Sequence, residues 1–387
     1  MTPLLGSQLQ ARFHGTLAQV ASREWDALRP DDNPFLAHAF LAGLEQYGCV
    51  DPRTGWQPHH LTLHDGDRLV AAAPLYLKGN SHGEFVFDWS WAHAYEQNGL
   101  DYYPKLLCAV PYSPVTGPRL LVGCGADANA LRALLIEAIR AEAQRLGLSS
   151  AHLNFSNEPD AVALADSRWL ARFDWQFHWR NEAGWRDFDH FLAALNHKKR
   201  KNIRHERARV ALAGVTCEIR HGDELDDAQW QALHDFYLAT FDEKGNYAAL
   251  TLDFFRHLGR AMPRNIVAVL CRRGDELVAG ALMLRSSTTL YGRYWGASEH
   301  VEALHFEACY YQGIDYCLRE GLSAFEPGAG GEHKVARGFL PVRTRSSHWI
   351  ADPRFRAAIA DALRRESRAL DEYRDDVLAH SPYAGAR

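Results

Sequence analysis

Gly66-Asp67-Arg68-Leu69-Val70-Ala71-Ala72-Ala73 in the first half of the chain returns as Gly274-Asp275-Glu276-Leu277-Val278-Ala279-Gly280-Ala281 in the second. Farther along, Gly147-Leu148-Ser149 returns as Gly321-Leu322-Ser323, in the same order. The first pair is offset by 208 positions (277 − 69) and the second by 174 (321 − 147), so the two landmarks of the first copy stand 34 residues farther apart. A repeated order with a changed spacing means two copies of one module, one of them carrying an insertion.

Working outward from these landmarks, the same pattern is legible twice. In the first half, residues 25–48 carry Phe35, Phe40 and Leu44 at helical spacing behind Asn33-Pro34, a helix-start signal. Residues 60–77 predict a hairpin turning at Asp65-Gly66-Asp67. Leu120-Leu121-Val122 predicts the next strand, 128–146 a helix that Gly147 can stop, and 151–155 a further strand. In the second half, Phe188, Phe191, Leu192 and Leu195 open an amphipathic helix, followed by helices over 230–241 and 252–258. A hairpin over 266–270 and 277–284, a strand over 290–295, a helix over 306–320 and a strand over 324–326 then repeat the first plan, and a helix over 355–378 closes the chain. The predicted fold is α/β (α+β), with two tandem domains that each build a mixed central sheet flanked by helices. The first spans 1–175 with an aromatic insert at 78–118, and the second spans 176–387 with a basic helix at 188–210.

Size and composition agree with two cores. A chain of 387 residues exceeds what one core usually serves, and 47% hydrophobic residues supply the apolar material for two. The net charge of −5 gives no global attraction to nucleic acid, so such a contact must come from a local basic patch. The seven cysteines are odd in number and form no CxxC, which fits a reducing compartment. No apolar run approaches the roughly 20 residues that span a bilayer, and the N-terminus lacks a basic region followed by an apolar one. A cytoplasmic protein without stable membrane insertion is expected. The chain has no HExxH, no Cys/His spacing for zinc and no GxSxG. Neither a resident metal nor a covalent acyl-enzyme is therefore expected.

A hairpin, a strand, a splayed gap, a helix and a further strand is the plan of the GNAT acyltransferase core, and two such cores in tandem resemble the FemAB-like family. The resemblance covers nearly the whole chain. It is most specific in Phe85-Val86-Phe87-Asp88-Trp89-Ser90-Trp91, Tyr102-Tyr103-Pro104-Lys105-Leu106, Pro114-Val115-Thr116-Gly117-Pro118-Arg119 and Tyr291-Gly292-Arg293-Tyr294-Trp295-Gly296, and in the two stretches 305–313 and 325–339. It points to the branch known as peptidoglycan biosynthesis/recognition proteins, whose relatives outside that branch transfer an amino acid from aminoacyl-tRNA to an amine on a cell-wall precursor. The resemblance implies an N-acyltransferase that makes an amide by direct transfer. Its donor would be aminoacyl-tRNA or acyl-CoA, and its acceptor an amine-bearing small molecule or peptide; tRNA is a partner where the donor is aminoacylated. The chain departs from acetyl-CoA enzymes of the GNAT type, which cradle pyrophosphate on a Q/R-x-x-G-x-G/A loop at a helix start. The nearest approach, residues 119–125, has one residue too many, and nothing equivalent stands at 296–304. Two other readings stay open: an acetyl-CoA-dependent small-molecule N-acetyltransferase, and a non-catalytic module that binds peptidoglycan fragments.

Candidate residues fall into three groups. The segment 326–339 leaves a predicted strand, contains Gly328, Gly330 and Gly331, and presents charged side chains in close succession. Acyl transfer to an amine needs a base for the nucleophile's proton and stabilisation of an oxyanion. By analogy with the Lys that precedes Phe-Gly in FemAB-type enzymes, Lys334 or a nearby backbone amide is expected to serve the oxyanion, with Glu326, Glu332 or His333 as base and Glu307 as a further catalytic candidate. Substrate-binding candidates in this half are Tyr294, Trp295, His305, Tyr310, Tyr311, Arg337 and Phe339; alternation along a strand lets only one of Tyr294 and Trp295 face the core. In the insert they are Asp88, Trp89, Trp91, Tyr102, Tyr103 and Lys105, where burial among aromatics is expected to raise the carboxyl pKa of Asp88. Lys198, Lys199, Arg200, Lys201, Arg204 and Arg207 form a basic run suited to phosphates of RNA, a nucleotide-linked precursor or a coenzyme.

Overall fold

The protein is described here from a computed structural model, which describes residues 9–165 and 168–384. It divides into two compact units: Met1–Asp174 with Arg343–Asp371, and Trp175–Val342 with Glu372–Arg387. Residues 343–371, which the sequence assigns to the second domain, thus belong with the first. The strand that ends each copy is exchanged, so residues 343–350 complete the first unit's sheet and residues 175–180 the second's.

In the first unit, strands β1 (Leu9–His14), β2 (Trp56–Pro58), β3 (His60–Asp65), β4 (Arg68–Ala73), β5 (Leu75–Lys78), β6 (Lys105–Cys108) and β7 (Ser150–Leu153) lead into β8 (Leu170–Arg180). The run 69–77, predicted as one strand, is two. Pro74 has no N–H for a ladder, so β4 stays with β3 and β1 in a small antiparallel sheet while β5 joins β2 and β6. Leu120-Leu121-Val122 is not the next strand either. Leu121 makes only a two-bond bridge to Ala72, each N···O 2.8 Å. The strand lies inside the insert, as β6, which runs parallel to β7. The helix Ala128–Arg145 covers this sheet with Leu135, Ile136 and Ile139. A second apolar cluster joins Trp91, Tyr95 and Tyr102 of the insert to Ile350, Ile359 and Leu363.

The second unit contains β9 (Val215–His221), β10 (Ile266–Arg273), β11 (Glu276–Arg285), β12 (Thr289–Ala297) and β13 (Ala324–Glu326); β14 (Leu340–Ile350) leads out of it. β9 to β12 form an antiparallel meander, with β10 between β9 and β11. β13 pairs parallel to β12 and antiparallel to β8. The hairpin β10–β11 is buried along most of its length, and its inward residues pack with Trp179, Phe191, Tyr311, Ile314 and Phe325. Each large side chain taken fully out of water there contributes on the order of 2 kcal/mol. At Gly296 the backbone of β12 meets the helix Asp227–Glu243 so closely that a Cβ would lie 2.0 Å from the Phe236 carbonyl oxygen. Among the described residues, no helix is long and apolar enough to cross a membrane.

Candidate active site

The site of the second unit starts from a gap between two strands. β12 and β13 pair at Thr289↔Ala324, Leu290↔Phe325 and Tyr291↔Glu326, and the ladder stops there although β12 runs on to Ala297. Just past this point a bulge shifts the register of β12 against β11, between Leu282↔Tyr294 and Met283↔Gly292. Arg293 is the extra residue, and a bulge of this kind re-aims a side chain.

Opposite the gap, the chain leaving β13 enters the glycine-rich loop. Gly328, Gly330 and Gly331 have φ of 93°, 71° and 95°, values that side-chain-bearing residues rarely adopt. The loop tightens into a 3-10 turn over Glu332–Arg337. This brings Lys334 inside: it is 3% exposed, and its Nζ donates to the carbonyl oxygens of Gly328 at 2.7 Å and Ala329 at 3.4 Å. Burial pulls its pKa down to about 8, and Arg293 adds to the fall. Beside it, His333 Nε2 lies 2.9 Å from the Tyr310 hydroxyl. Burial and then the charges of Lys334 and Arg337 lower the His333 pKa, so the ring favours its neutral form. Glu326 ends β13 with an oxygen 3.9 Å from His178 Nδ1, a residue of β8. Glu332 points to the surface, where the Tyr373 hydroxyl donates to it at 2.8 Å.

The other wall is the segment after β12. A turn of π-helix over Glu307–Tyr311 precedes the helix Gln312–Glu320; such wide turns re-aim side chains and concentrate at functional sites. Glu307 is buried, and its carboxylate takes both Nη2 and Nε of Arg207 at 3.1 Å as well as Gln312 Nε2 at 2.8 Å. Those bonds make it an anchor for the basic helix. Arg337 likewise donates to Glu206 at 2.7 Å, to the Tyr311 hydroxyl at 3.1 Å and to the His333 carbonyl at 2.8 Å, while its guanidinium lies 3.4 Å from the Phe306 ring centroid. Tyr311 also donates to Glu206. Glu206 and His178 escaped the sequence reading because their partners Arg337 and Glu326 lie more than 100 residues away in the chain; Arg293, at the bulge, and Gln312, bonded to Glu307 five residues before it, also escaped it.

The aromatic candidates separate by face. Trp295 and His305 meet edge to face at 5.4 Å, His305 and Tyr310 do the same, and Phe339 packs under Tyr310 and Phe325. Tyr294 points the other way, onto Tyr237 and Phe255. The basic run also divides. It is two helices, Phe188–Ala194 and His197–Leu212, parted at Asn196, whose side chain caps the second by accepting from Lys199 N at 3.0 Å. Arg207 turns inward, Lys199 and Arg200 are half-buried, and Lys198, Lys201 and Arg204 stay exposed.

The insert candidates of the first unit form a buried charge cluster. Lys105 Nζ donates to Glu84 at 2.7 Å, to Asp88 at 2.5 Å and to Ser81 at 3.2 Å. Tyr102 donates to Asp88 at 2.5 Å, Ser81 also bonds Asp88, and the Tyr103 hydroxyl lies 2.6 Å from Ser81 Oγ. The expected rise in the Asp88 pKa is not found. Burial does favour the neutral acid, but Lys105 and the donors around the carboxylate outweigh it and hold the pKa low. The raised carboxyl is Glu84, pushed up to about 7 by burial. Trp91 packs edge-on to His348 at 4.9 Å, and Trp89 is exposed beside Phe87.

Buried imidazoles should make the protein sensitive to acid. Burial depresses His152 and His178 to about 3 and His305 to about 4, from an ordinary 6.5. Below the ordinary value the unfolded chain binds protons that these folded rings refuse, so stability falls with pH until the folded values are reached. Each ring costs about 1.4 kcal/mol per pH unit. His178 and His305 together should therefore cost the second unit about 3 kcal/mol between pH 6.5 and pH 5. Guanidinium midpoints should be level above pH 7 and drop steeply below it; equal midpoints at pH 7 and pH 5 would refute the neutral-ring assignment.

Two crystal structures share the fold over most of the chain. FemX matches with a TM-score of 0.52 at 11% identity, covering 91% of this chain and 100% of its own. The C-terminal domain of a putative lysylphosphatidylglycerol synthetase from Agrobacterium fabrum matches with a TM-score of 0.53 at 13% identity, covering 90% and 96%. No curated protein matches the sequence. The architecture is a tandem GNAT-like α/β fold. The FemAB-like profile, described as peptidoglycan biosynthesis/recognition, matches residues 16–385, and the chain belongs to that family.

Proposed function

We propose that the protein is an acyltransferase that joins an activated acyl or aminoacyl group to an amine, with the reaction carried out at the gap between β12 and β13. The observation that carries this reading is Lys334, a buried amine held by backbone carbonyls in a glycine-rich turn, directly beside a neutral imidazole. In this reading the amine nitrogen attacks the acyl carbonyl, Lys334 as ammonium stabilises the oxyanion, and His333 takes the proton the nucleophile loses. The C–N bond forms as the bond to the donor's oxygen or sulfur breaks, and the proton passes to that leaving atom. Trp295, His305 and Tyr310 border the space for the acyl group.

For the donor, the reading favours aminoacyl-tRNA over acyl-CoA. Lys198, Lys201 and Arg204 are exposed on successive turns of one helix, and the same helix is tied to the site through Arg207–Glu307 and Glu206–Arg337. A phosphate backbone held there would be coupled mechanically to the reacting groups. A donor screen of charged tRNAs against acyl-CoAs with amine acceptors tests the proposal. Reversing the three charges to Glu should abolish salt-dependent tRNA binding, a loss of roughly 100-fold or more near physiological salt. Unchanged tRNA binding in that variant rules out this use of the helix.

A further inference from the structure

The second unit holds two thiols in register. Cys217 of β9 lies directly opposite Cys271 of β10 in the antiparallel ladder, and their Sγ atoms are 3.3 Å apart, the span of an S–H···S hydrogen bond. Cys49, Cys108, Cys124 and Cys317 are engaged differently, donating to backbone carbonyls at 3.4 to 4.0 Å. A single buried cysteine is most often a small apolar filler. Two that face each other across a ladder also meet the geometric conditions for a disulfide. Directly opposed residues of an antiparallel pair have Cα atoms about 4.5 or 5.5 Å apart, within the roughly 4.4–6.8 Å that a disulfide spans. Rotation about the Cα–Cβ bonds then closes the gap between the sulfurs.

The two sulfurs differ in access. Cys271 is 0% exposed, enclosed in the apolar cluster with Val210, Val269 and Tyr311. Cys217 is half-buried on β9, which ends the strand order β11–β10–β9. An oxidant in solution therefore meets Cys217 first. The hydrogen bond from Cys217 and then burial push the Cys271 thiol pKa far up, so Cys271 keeps its proton in the resting state. A pair of this kind reacts slowly and stays reduced until an oxidant accumulates.

We propose that Cys217 and Cys271 form a reversible disulfide site, closed by a small-molecule disulfide such as oxidised glutathione and independent of acyl transfer. The Cys217 thiolate attacks one sulfur of glutathione disulfide, giving a mixed disulfide and a glutathione thiolate that takes up the proton Cys217 lost. The Cys271 sulfur then attacks the Cys217 sulfur, and its proton passes to the second glutathione as that thiolate leaves. Two protein thiols are thereby oxidised by two electrons, and one glutathione disulfide is reduced to two thiols. The closed bond ties β9 to β10 across a loop that contains the helices Asp227–Glu243 and Leu252–Ala261. It removes freedom from the unfolded chain and so stabilises the second unit.

The test is incubation of the folded full chain with glutathione disulfide at mildly alkaline pH, quenched with N-ethylmaleimide and read by peptide mapping. A peptide cross-link joining Cys217 to Cys271 is expected, with no glutathione retained on either and full reversal by dithiothreitol. The Tm of the second unit should rise by roughly 4 °C or more. Cys217→Ala, at a half-buried position, should fold normally and leave Cys271 a free thiol. Cys309→Ala, which removes a further sulfur acting on Cys271, should leave the cross-link in place. The proposal is overturned if the folded chain keeps both residues as thiols, or if the cross-link forms only after unfolding in guanidinium. Glutathione left on Cys217 as the end product, a bond from Cys271 to Cys309, or a cross-link that leaves the Tm unchanged or lower would overturn it equally.

Discussion

Replacing Lys334 by Met should lower kcat for amide formation by roughly 100- to 1000-fold, the usual effect of removing one preorganised oxyanion donor, with KM changed by a few-fold at most. The reason is placement. The ammonium is carried into a buried position by three left-handed glycines and fixed by two backbone carbonyls, so its charge acts where little water screens it. Met has similar length and removes the cost of burying a charge, so loss of activity should come without loss of fold. The same assignment fixes a pH dependence. Only the protonated amine can stabilise an oxyanion, and burial brings its pKa down to about 8. Activity should decline as pH rises through that value. A kcat within threefold of the parent in Lys334→Met, or a rate that climbs through pH 8 and stays high, would contradict the assigned role.

In the first unit the largest expected effect is on stability. Lys105→Met should destabilise it by about 3–5 kcal/mol, because removing one partner of a buried ion pair strands the other charge. Here two acids are stranded at once, Glu84 and Asp88, both of them almost wholly enclosed. Guanidinium unfolding followed by near-ultraviolet circular dichroism would measure the loss. The triple variant Lys105→Met, Glu84→Gln, Asp88→Asn replaces the charges together and should recover a good part of it. A Lys105→Met midpoint equal to the parent's would mean that the cluster does not hold the insert together.

The cluster also shows where the sequence was opaque. β6 is a four-residue strand that begins with a lysine, and a lysine is rarely buried unless paired. Its partners Glu84 and Asp88 lie 17 to 21 residues earlier in the chain, so local patterning could not reveal that the position is interior. Pro74 was visible but its consequence was larger than a pause: it sends the two halves of one apolar run into different sheets. The exchange of terminal strands was written in the chain too, as His178-Trp179 and His348-Trp349 at a constant offset of 170 (348 − 178). A doublet that short acquires meaning only when the strand registers are known. What was legible were features with local causes: the β10–β11 hairpin with its Gly-Asp turn, the helices ended by Gly147 and Gly321, and the glycine-rich departure from β13. The inward turn of Arg207, and with it the pairing of Glu307, depended on a helix packing against a segment 100 residues away.

In the proposed reaction the second unit passes an acyl group straight from donor to amine at the Lys334 turn. Rapid quenching of the enzyme with a labelled donor from the screen, with and without acceptor, followed by intact-mass measurement of the protein, addresses it most directly. The protein should keep an unchanged mass at every time point and the label should appear only in the amide product, at a rate that collapses in Lys334→Met. A protein carrying the acyl mass before acceptor is added, or product formed as fast by Lys334→Met as by the parent, would contradict it.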